Sequence, residues 1–95
     1  MRAIWNKHII AESDKTEVVE NNHYFPPESV NQQFLEDSDR DTLCPWKGKA
    51  SYFNLVDKDE KAPEAAWYYP DPKKAAKEIK NYIAFDKNQV SIETD

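Results

Sequence analysis

Residues 49–69, KASYFNLVDKDEKAPEAAWYY, predict two antiparallel strands joined by a charged turn. In the first strand, residues 49–56, both alternating sets of positions carry aromatic or aliphatic side chains, which is typical of a strand covered on both faces. The turn is the charged run DKDE, and residues 62–69 return as the partner strand. This hairpin predicts that the fold is built around an antiparallel sheet.

Further short strands are predicted on both sides of this hairpin, because apolar runs alternate with turn residues. Asn6-Lys7 is predicted to connect the first two strands in a two-residue turn, and Asn21-Asn22 resembles a second tight turn. The other predicted elements are strands over 2–5, 8–12, 17–20 and 23–25, a single helical turn over 28–31, a polar loop over 36–42 and a last hairpin over 84–93.

One helix is predicted at about residues 72–82. Asp71 is a suitable N-cap and Pro72 suits the first helical position. Ala76, Ile79 and Ile83 recur at helical spacing and form one apolar stripe. The sequence therefore predicts a mainly β (α+β) fold with one helix in the C-terminal half.

Composition bounds the class of protein. With 95 residues, the chain is expected to form a single domain over 1–95. Thirteen basic and 18 acidic residues give a net charge of −5, which disfavours nucleic acid as a partner. No apolar run approaches the length of a membrane span, so no membrane partner is expected. The single cysteine, Cys44, cannot form an internal disulfide or a multi-thiolate metal site, so no metal, no cofactor and a cytoplasmic location are expected.

Several motifs together resemble those of a known bacterial family. The matching stretches are RAIWN at 2–6, HYFPP at 23–27, TLCPWKG at 42–48, ASYF at 50–53 and AAWYYPDP at 65–72. The chain resembles domain of unknown function 427, a family labelled nucleotidyltransferase-like.

The resemblance implies an antiparallel, two-sheet, tent-like fold similar to those of methionine sulfoxide reductase B and the zinc-bound exchange factors. Those folds often hold zinc on paired Cys-x-x-Cys ribbons, whereas this chain has only Cys44, so zinc is not expected. The nucleotidyltransferase label finds little support in the residues. Gly48 is the only glycine, so no glycine-rich phosphate cradle can exist.

The candidate site is predicted where aromatic residues and unusual backbone coincide. Gly48 follows the only cysteine and one of the three tryptophans, and a second aromatic run precedes the predicted helix. Alternation places Trp67 and Tyr69 on one face of their strand and Tyr68 on the other. We expect an aromatic ligand-binding pocket between the sheets, formed by Glu20, Tyr24, Cys44, Trp46, Lys47, Trp67 and Tyr69.

Three functions remain open from the sequence. The leading hypothesis is a non-catalytic domain that binds a small molecule in this aromatic pocket. The second is a small enzyme that uses Cys44 as a nucleophile, which requires a lowered thiol pKa. The third is a protein-interaction module that presents Tyr68 or Trp46 to a partner.

Overall fold

The computed structural model describes residues 1–94, which contain nine β-strands. The strands are β1 (Arg2–Trp5), β2 (His8–Glu12), β3 (Glu17–Val19), β4 (Asn22–Tyr24), β5 (Leu35–Cys44), β6 (Gly48–Asp57), β7 (Glu60–Tyr68), β8 (Ile83–Phe85) and β9 (Ser91–Glu93). Short 3₁₀ segments occupy Pro27–Ser29, Gln32–Phe34 and Lys74–Ile79. The mainly β prediction is confirmed.

The strands form three antiparallel sheets. The largest has the order β5-β6-β7-β8, a second has the order β2-β1-β9, and β3 pairs with β4 alone. A pair of backbone hydrogen bonds between Phe25 and Ile83, at 2.8 and 2.9 Å, ties the β3–β4 hairpin to the end of the largest sheet. The small hairpin is therefore held beside one edge of the four-stranded sheet.

The predicted hairpins near the centre and at the start of the chain are confirmed. β6 and β7 pair antiparallel around the charged turn, and β1 and β2 pair around Asn6-Lys7. Both residues of that first turn have positive φ, 51° and 67°, the backbone that a two-residue turn between twisted strands favours. In the β3–β4 hairpin the same conformation falls on Glu20 and Asn21, one residue earlier than predicted.

The predicted polar loop at 36–42 is wrong. These residues lie within β5, which pairs with β6 as the edge strand of the largest sheet. Most of their side chains are exposed, so the strand has no apolar face that would reveal it. The strand is defined by its backbone hydrogen bonds to β6. Its charged side chains protect this edge of the sheet from pairing with another strand.

The predicted helix at 72–82 is much shorter and is not α-helical. Residues Lys74–Ile79 form a 3₁₀ segment, and Asp71 does not cap it, since the N-cap residue is Lys73 without a side-chain cap. Backbone hydrogen bonds hold both ends of this segment. The Lys73 amide donates to the Lys47 carbonyl, and the Asn81 amide donates to the Tyr69 carbonyl. The 3₁₀ segment lies between these two hydrogen bonds. No helical segment within residues 1–94 is long and apolar enough to cross a bilayer.

The predicted C-terminal hairpin at 84–93 is also wrong. Ile83–Phe85 pairs with β7, whereas Ser91–Glu93 pairs with β1 in the other sheet. Residues 86–90 therefore carry the chain from one sheet to the other. The apolar pattern fits a hairpin and two separate strands equally well. Pairing with β7 and with β1 separates these two strands.

Two clusters of buried side chains cover different parts of the largest sheet. The first joins it to the three-stranded sheet, with Phe25, Leu55 and Phe85 at its centre. The second consists of Tyr24, Ala50, Tyr69, Ala76, Ile79 and Ala84. Trp67 and Tyr52 pack against the second cluster, and Tyr68 packs against the first, as the alternation along β7 predicts. The candidate site lies above this second cluster.

Candidate functional site

A cleft of about 450 Å³ opens beside the second cluster. Its aromatic wall is formed by Tyr24 in β4, Tyr52 in β6, Trp67 in β7 and Tyr69 directly after β7. Four charged side chains also line the cleft, those of Arg40, Lys47, Glu64 and Asp86, together with Asn22, Pro63 and Gln89. The cleft therefore combines large rings with ionisable groups, so it offers both stacking surfaces and polar contacts.

Trp67 is the centre of the aromatic wall. Its ring lies edge-on to Tyr24, with centroids 6.5 Å apart, and tilted against Tyr52 at 6.4 Å. Trp67 Nε1 donates a hydrogen bond of 3.1 Å to the Tyr24 hydroxyl, and Tyr24 is fully buried. Aromatic pairs in such arrangements hold each other in place. Buried Tyr24 thus fixes the orientation of the Trp67 indole. The half-buried Trp67 and Tyr52 side chains form part of the cleft surface.

The loop that carries Lys47 is fixed by the only glycine. Gly48 has φ of +111°, a backbone conformation that side chains rarely adopt. This turn brings the Lys47 carbonyl within 2.8 Å of the Lys73 amide, and Lys73 Nζ donates to the Pro45 carbonyl at 2.6 Å. The segment that follows the aromatic strand therefore holds the loop from outside, and Lys47 points into the cleft.

Lys47 is a buried cation with a half-exposed partner. Its side chain is only 7 % exposed, and its ammonium donates to Glu20 Oε1. Trp46 Nε1 donates to the other Glu20 oxygen at 3.2 Å. The Lys47 nitrogen also lies 5.5 Å from the Trp46 ring centroid and 5.4 Å from that of Tyr69, a distance at which ring faces attract cations.

These contacts shift three pKa values. Burial opposes the charge of Lys47, but the hydrogen bond to Glu20 and the neighbouring Tyr24, Tyr69 and Glu20 groups outweigh it, so the Lys47 pKa lies above its ordinary value. Hydrogen bonds from Lys47 and then Trp46 lower the Glu20 pKa. Burial raises the Tyr69 pKa, although the Lys47 charge opposes that shift. At neutral pH the cleft therefore holds a charged Lys47 beside a neutral Tyr69.

A second pair of opposite charges lies at another part of the cleft. Arg40 Nη1 is 3.7 Å from Glu64 Oε1, and the Arg40 guanidinium lies 5.6 Å from the centroid of Tyr52. Asp86, nearby in the lining, accepts from the Asn88 amide and from Gln89 Nε2, so both of its oxygens serve its own turn. Of the three charged groups in this part of the cleft, Arg40 and Glu64 form no hydrogen bond within a turn, whereas Asp86 does.

The structure brings most of the predicted site residues together. Tyr24, Lys47, Trp67 and Tyr69 line the cleft. Glu20 and Trp46 do not line the cleft. Glu20 is the carboxylate partner of Lys47, and Trp46, which is 42 % exposed, donates a hydrogen bond to Glu20. Cys44 is partly buried against the second cluster and does not line the cleft. Within residues 1–94, no three His, Cys, Asp or Glu side chains are grouped to hold a metal ion.

Sequence reasoning missed seven lining residues: Asn22, Arg40, Tyr52, Pro63, Glu64, Asp86 and Gln89. Arg40 was assigned to a loop, and its place in the cleft follows from the unexpected β5 strand. Tyr52 lies opposite Trp67 only because the register of the hairpin shifts between Phe53 and Leu55, so regular pairing around the predicted turn does not bring the two together. Glu64 depends on a local irregularity in β7 that no composition signal reveals.

Comparison with known proteins identifies a family. The whole chain, residues 1–95, matches the family described as Domain of unknown function (DUF427), and the chain belongs to it. The resemblance drawn from the motifs is thereby confirmed. No curated protein matches the chain.

Proposed function

We propose that the chain is a ligand-binding domain and that the cleft beside Trp67 binds a small planar molecule. The observation that carries this proposal is the half-buried Trp67 side chain beside Tyr52 in a cleft of about 450 Å³. That volume falls within the range of about 300–1,000 Å³ typical of small-molecule sites. A planar ring stacked on Trp67 would replace water on an aromatic surface that is already held in place.

The charge arrangement supports a planar ligand over a simple cation. Ring faces attract cations, but here two of the rings already have one, since Lys47 lies by Tyr69 and Arg40 lies by Tyr52. A cationic ligand would have to compete with these two side chains for the ring faces. A neutral ring that stacks and uses hydrogen bonds at its edges meets no such penalty.

The position of Cys44 favours binding over catalysis by a thiol. A nucleophile has to reach the bound substrate, and Cys44 lies outside the cleft lining. The partner we propose is a small molecule, and the net charge of −5 speaks against nucleic acid. The single free cysteine is consistent with the reducing, cytoplasmic setting that we propose.

A ligand screen with two matched variants tests the proposal. Saturation-transfer NMR against a library of planar fragments should find binders to the wild-type protein. Y52A should weaken their binding by about tenfold or more, because stacking on an aromatic ring contributes roughly 1–3 kcal/mol per stacked base in comparable sites. Y68A removes a half-buried tyrosine from the opposite face of the sheet and should leave binding unchanged.

The outcomes separate the hypotheses. Equal loss of binding in Y52A and Y68A would contradict a site at this cleft, since only Tyr52 lines it. A library that yields no binder at all would contradict the proposed function itself.

A further inference from the structure

β7 carries backbone strain at a position where no turn requires it. Seven non-glycine residues among the described 1–94 have positive φ, and six of them lie in turns. The seventh, Glu64, has φ of 53° and lies inside β7. Left-handed backbone is unfavourable for a residue with a side chain, and such strain collects at functional sites.

A buried amide holds this strained residue in place. The register of β6 and β7 shifts so that one β6 residue, Asn54, lies opposite three β7 residues, 63–65. Asn54 Oδ1 accepts the Glu64 amide at 2.8 Å, and Asn54 Nδ2 donates to Glu36 at 3.0 Å. Asn54 is only 8 % exposed. The irregularity is thus a β-bulge with its own dedicated partner, a feature that often re-aims a side chain.

β5 has a matching bulge on the other side of β6. There, residues 38–40 lie opposite the single residue Tyr52. The two bulges direct Arg40 and Glu64 to the same part of the cleft, where their charged groups are 3.7 Å apart. Both side chains are exposed enough, at 54 % and 38 %, for this pair to be weak. The carboxylate therefore keeps hydrogen-bonding capacity for a ligand.

We infer that Glu64 is a specificity-determining residue of the cleft, and that it accepts paired N–H donors from the edge of a planar nitrogen heterocycle. This inference rests on the proposed binding function. A carboxylate can accept two parallel N–H bonds from such an edge, as it does from a guanidinium. Tyr52 and Trp67 supply the ring surface, and the bulge supplies the acceptor at its rim.

The same charges disfavour a phosphorylated form of the heterocycle. Lys47 and Arg40, the two cations of the lining, already face Glu20 and Glu64. Asp86 adds a further carboxylate to the lining, so the neighbourhood has no spare positive charge. A phosphate group would be repelled by the carboxylates of the lining and would have to compete with Glu20 for Lys47. We therefore assign the cleft to an unphosphorylated ring.

The test uses guanosine, inosine and guanosine 5′-monophosphate, which share one ring system. Guanosine presents adjacent ring N–H and amino donors, and inosine lacks the amino group. Titration followed by NMR should show guanosine binding at least about tenfold more tightly than inosine, because hydrogen bonds to charged groups are strong. The monophosphate should bind more weakly than guanosine. E64Q should lose the preference for guanosine over inosine.

Two glycine variants separate the side chain from the backbone. E64G and K58G both relieve a residue with positive φ, at 53° in β7 and at 55° in the β6–β7 turn. Both should keep or raise the thermal midpoint, since glycine adopts this backbone without strain. Only E64G should lose the preference for guanosine, because Lys58 does not line the cleft.

Three results would overturn the inference. Equal affinity for guanosine and inosine would do so, as would a preference that survives in E64Q. Binding of planar fragments without any binding of guanosine would also overturn it, yet would leave the proposed function standing. If neither the nucleosides nor any fragment bind, both proposals fail together.

Discussion

Replacing Asn54 by alanine tests whether the buried amide holds the bulge in β7. The change removes the acceptor of the Glu64 amide, which is 2.8 Å away, and the donor to Glu36. The Asn54 side chain is buried, and a backbone donor that loses such a partner without replacement costs about 1–3 kcal/mol. The Glu36 carboxylate is half exposed and bonds to Lys61 at 3.0 Å, so water can replace its lost bond. We expect N54A to lower the free energy of unfolding by about 1–3 kcal/mol.

Urea denaturation followed by tryptophan fluorescence measures this loss. For a domain of about this size, each kcal/mol lowers the thermal midpoint by about 4–8 °C, so calorimetry gives a second reading. The control is N88A, because Asn88 is exposed and only its backbone amide takes part in a hydrogen bond. Substitutions at such sites stay within about 0.5 kcal/mol of wild type. An N54A protein as stable as N88A would refute the reasoning, since the bulge would then need no partner.

Three further predictions concern Glu20, Gly48 and Cys44. The lowered pKa of Glu20 means that its pairing with Lys47 stabilises the fold above pH 4.5 and is lost as the pH falls through the lowered value; urea denaturation of E20Q should depend less on pH in that acid range. G48A should destabilise the protein by about 1–3 kcal/mol in the same assay, from backbone strain at φ of +111°, because the added methyl group would come no closer than 3.4 Å to its neighbours. Cys44 packs against the second cluster, so iodoacetamide should label it far more slowly in native protein than in urea, and rapid native labelling would instead support the enzyme hypothesis.

The strands that follow an alternating apolar pattern were predictable, and the others were not. The β6–β7 hairpin carries its own signal, since its apolar residues and its turn lie within one stretch of sequence. β5 carries none, because its side chains are mostly exposed and only its pairing with β6 makes it a strand. The helix at 72–82 failed for a similar reason. Its capping and stripe were favourable locally, yet the residues at its two ends, Lys73 and Asn81, form backbone hydrogen bonds to other parts of the fold, and only a 3₁₀ segment lies between them.

The part of the site that lies near rare residue types, the single glycine and the aromatic run, was predictable from the sequence. The only glycine and the aromatic run led to Lys47, Trp67 and Tyr69, which line one cleft. Arg40 and Glu64 could not be found in that way, because both are common surface residues. Their position depends on two bulges, and a bulge is set by the register between strands, not by composition.

The indole N–H signals of the three tryptophans test the central claim most directly. Trp67 lines the cleft, whereas Trp5 packs against the first cluster. When a planar binder from the screen is added to ¹⁵N-labelled protein, the account predicts a saturable shift of the Trp67 signal and an unchanged Trp5 signal. A ligand that saturates while the Trp67 signal stays in place would show that it binds elsewhere, and would contradict the account.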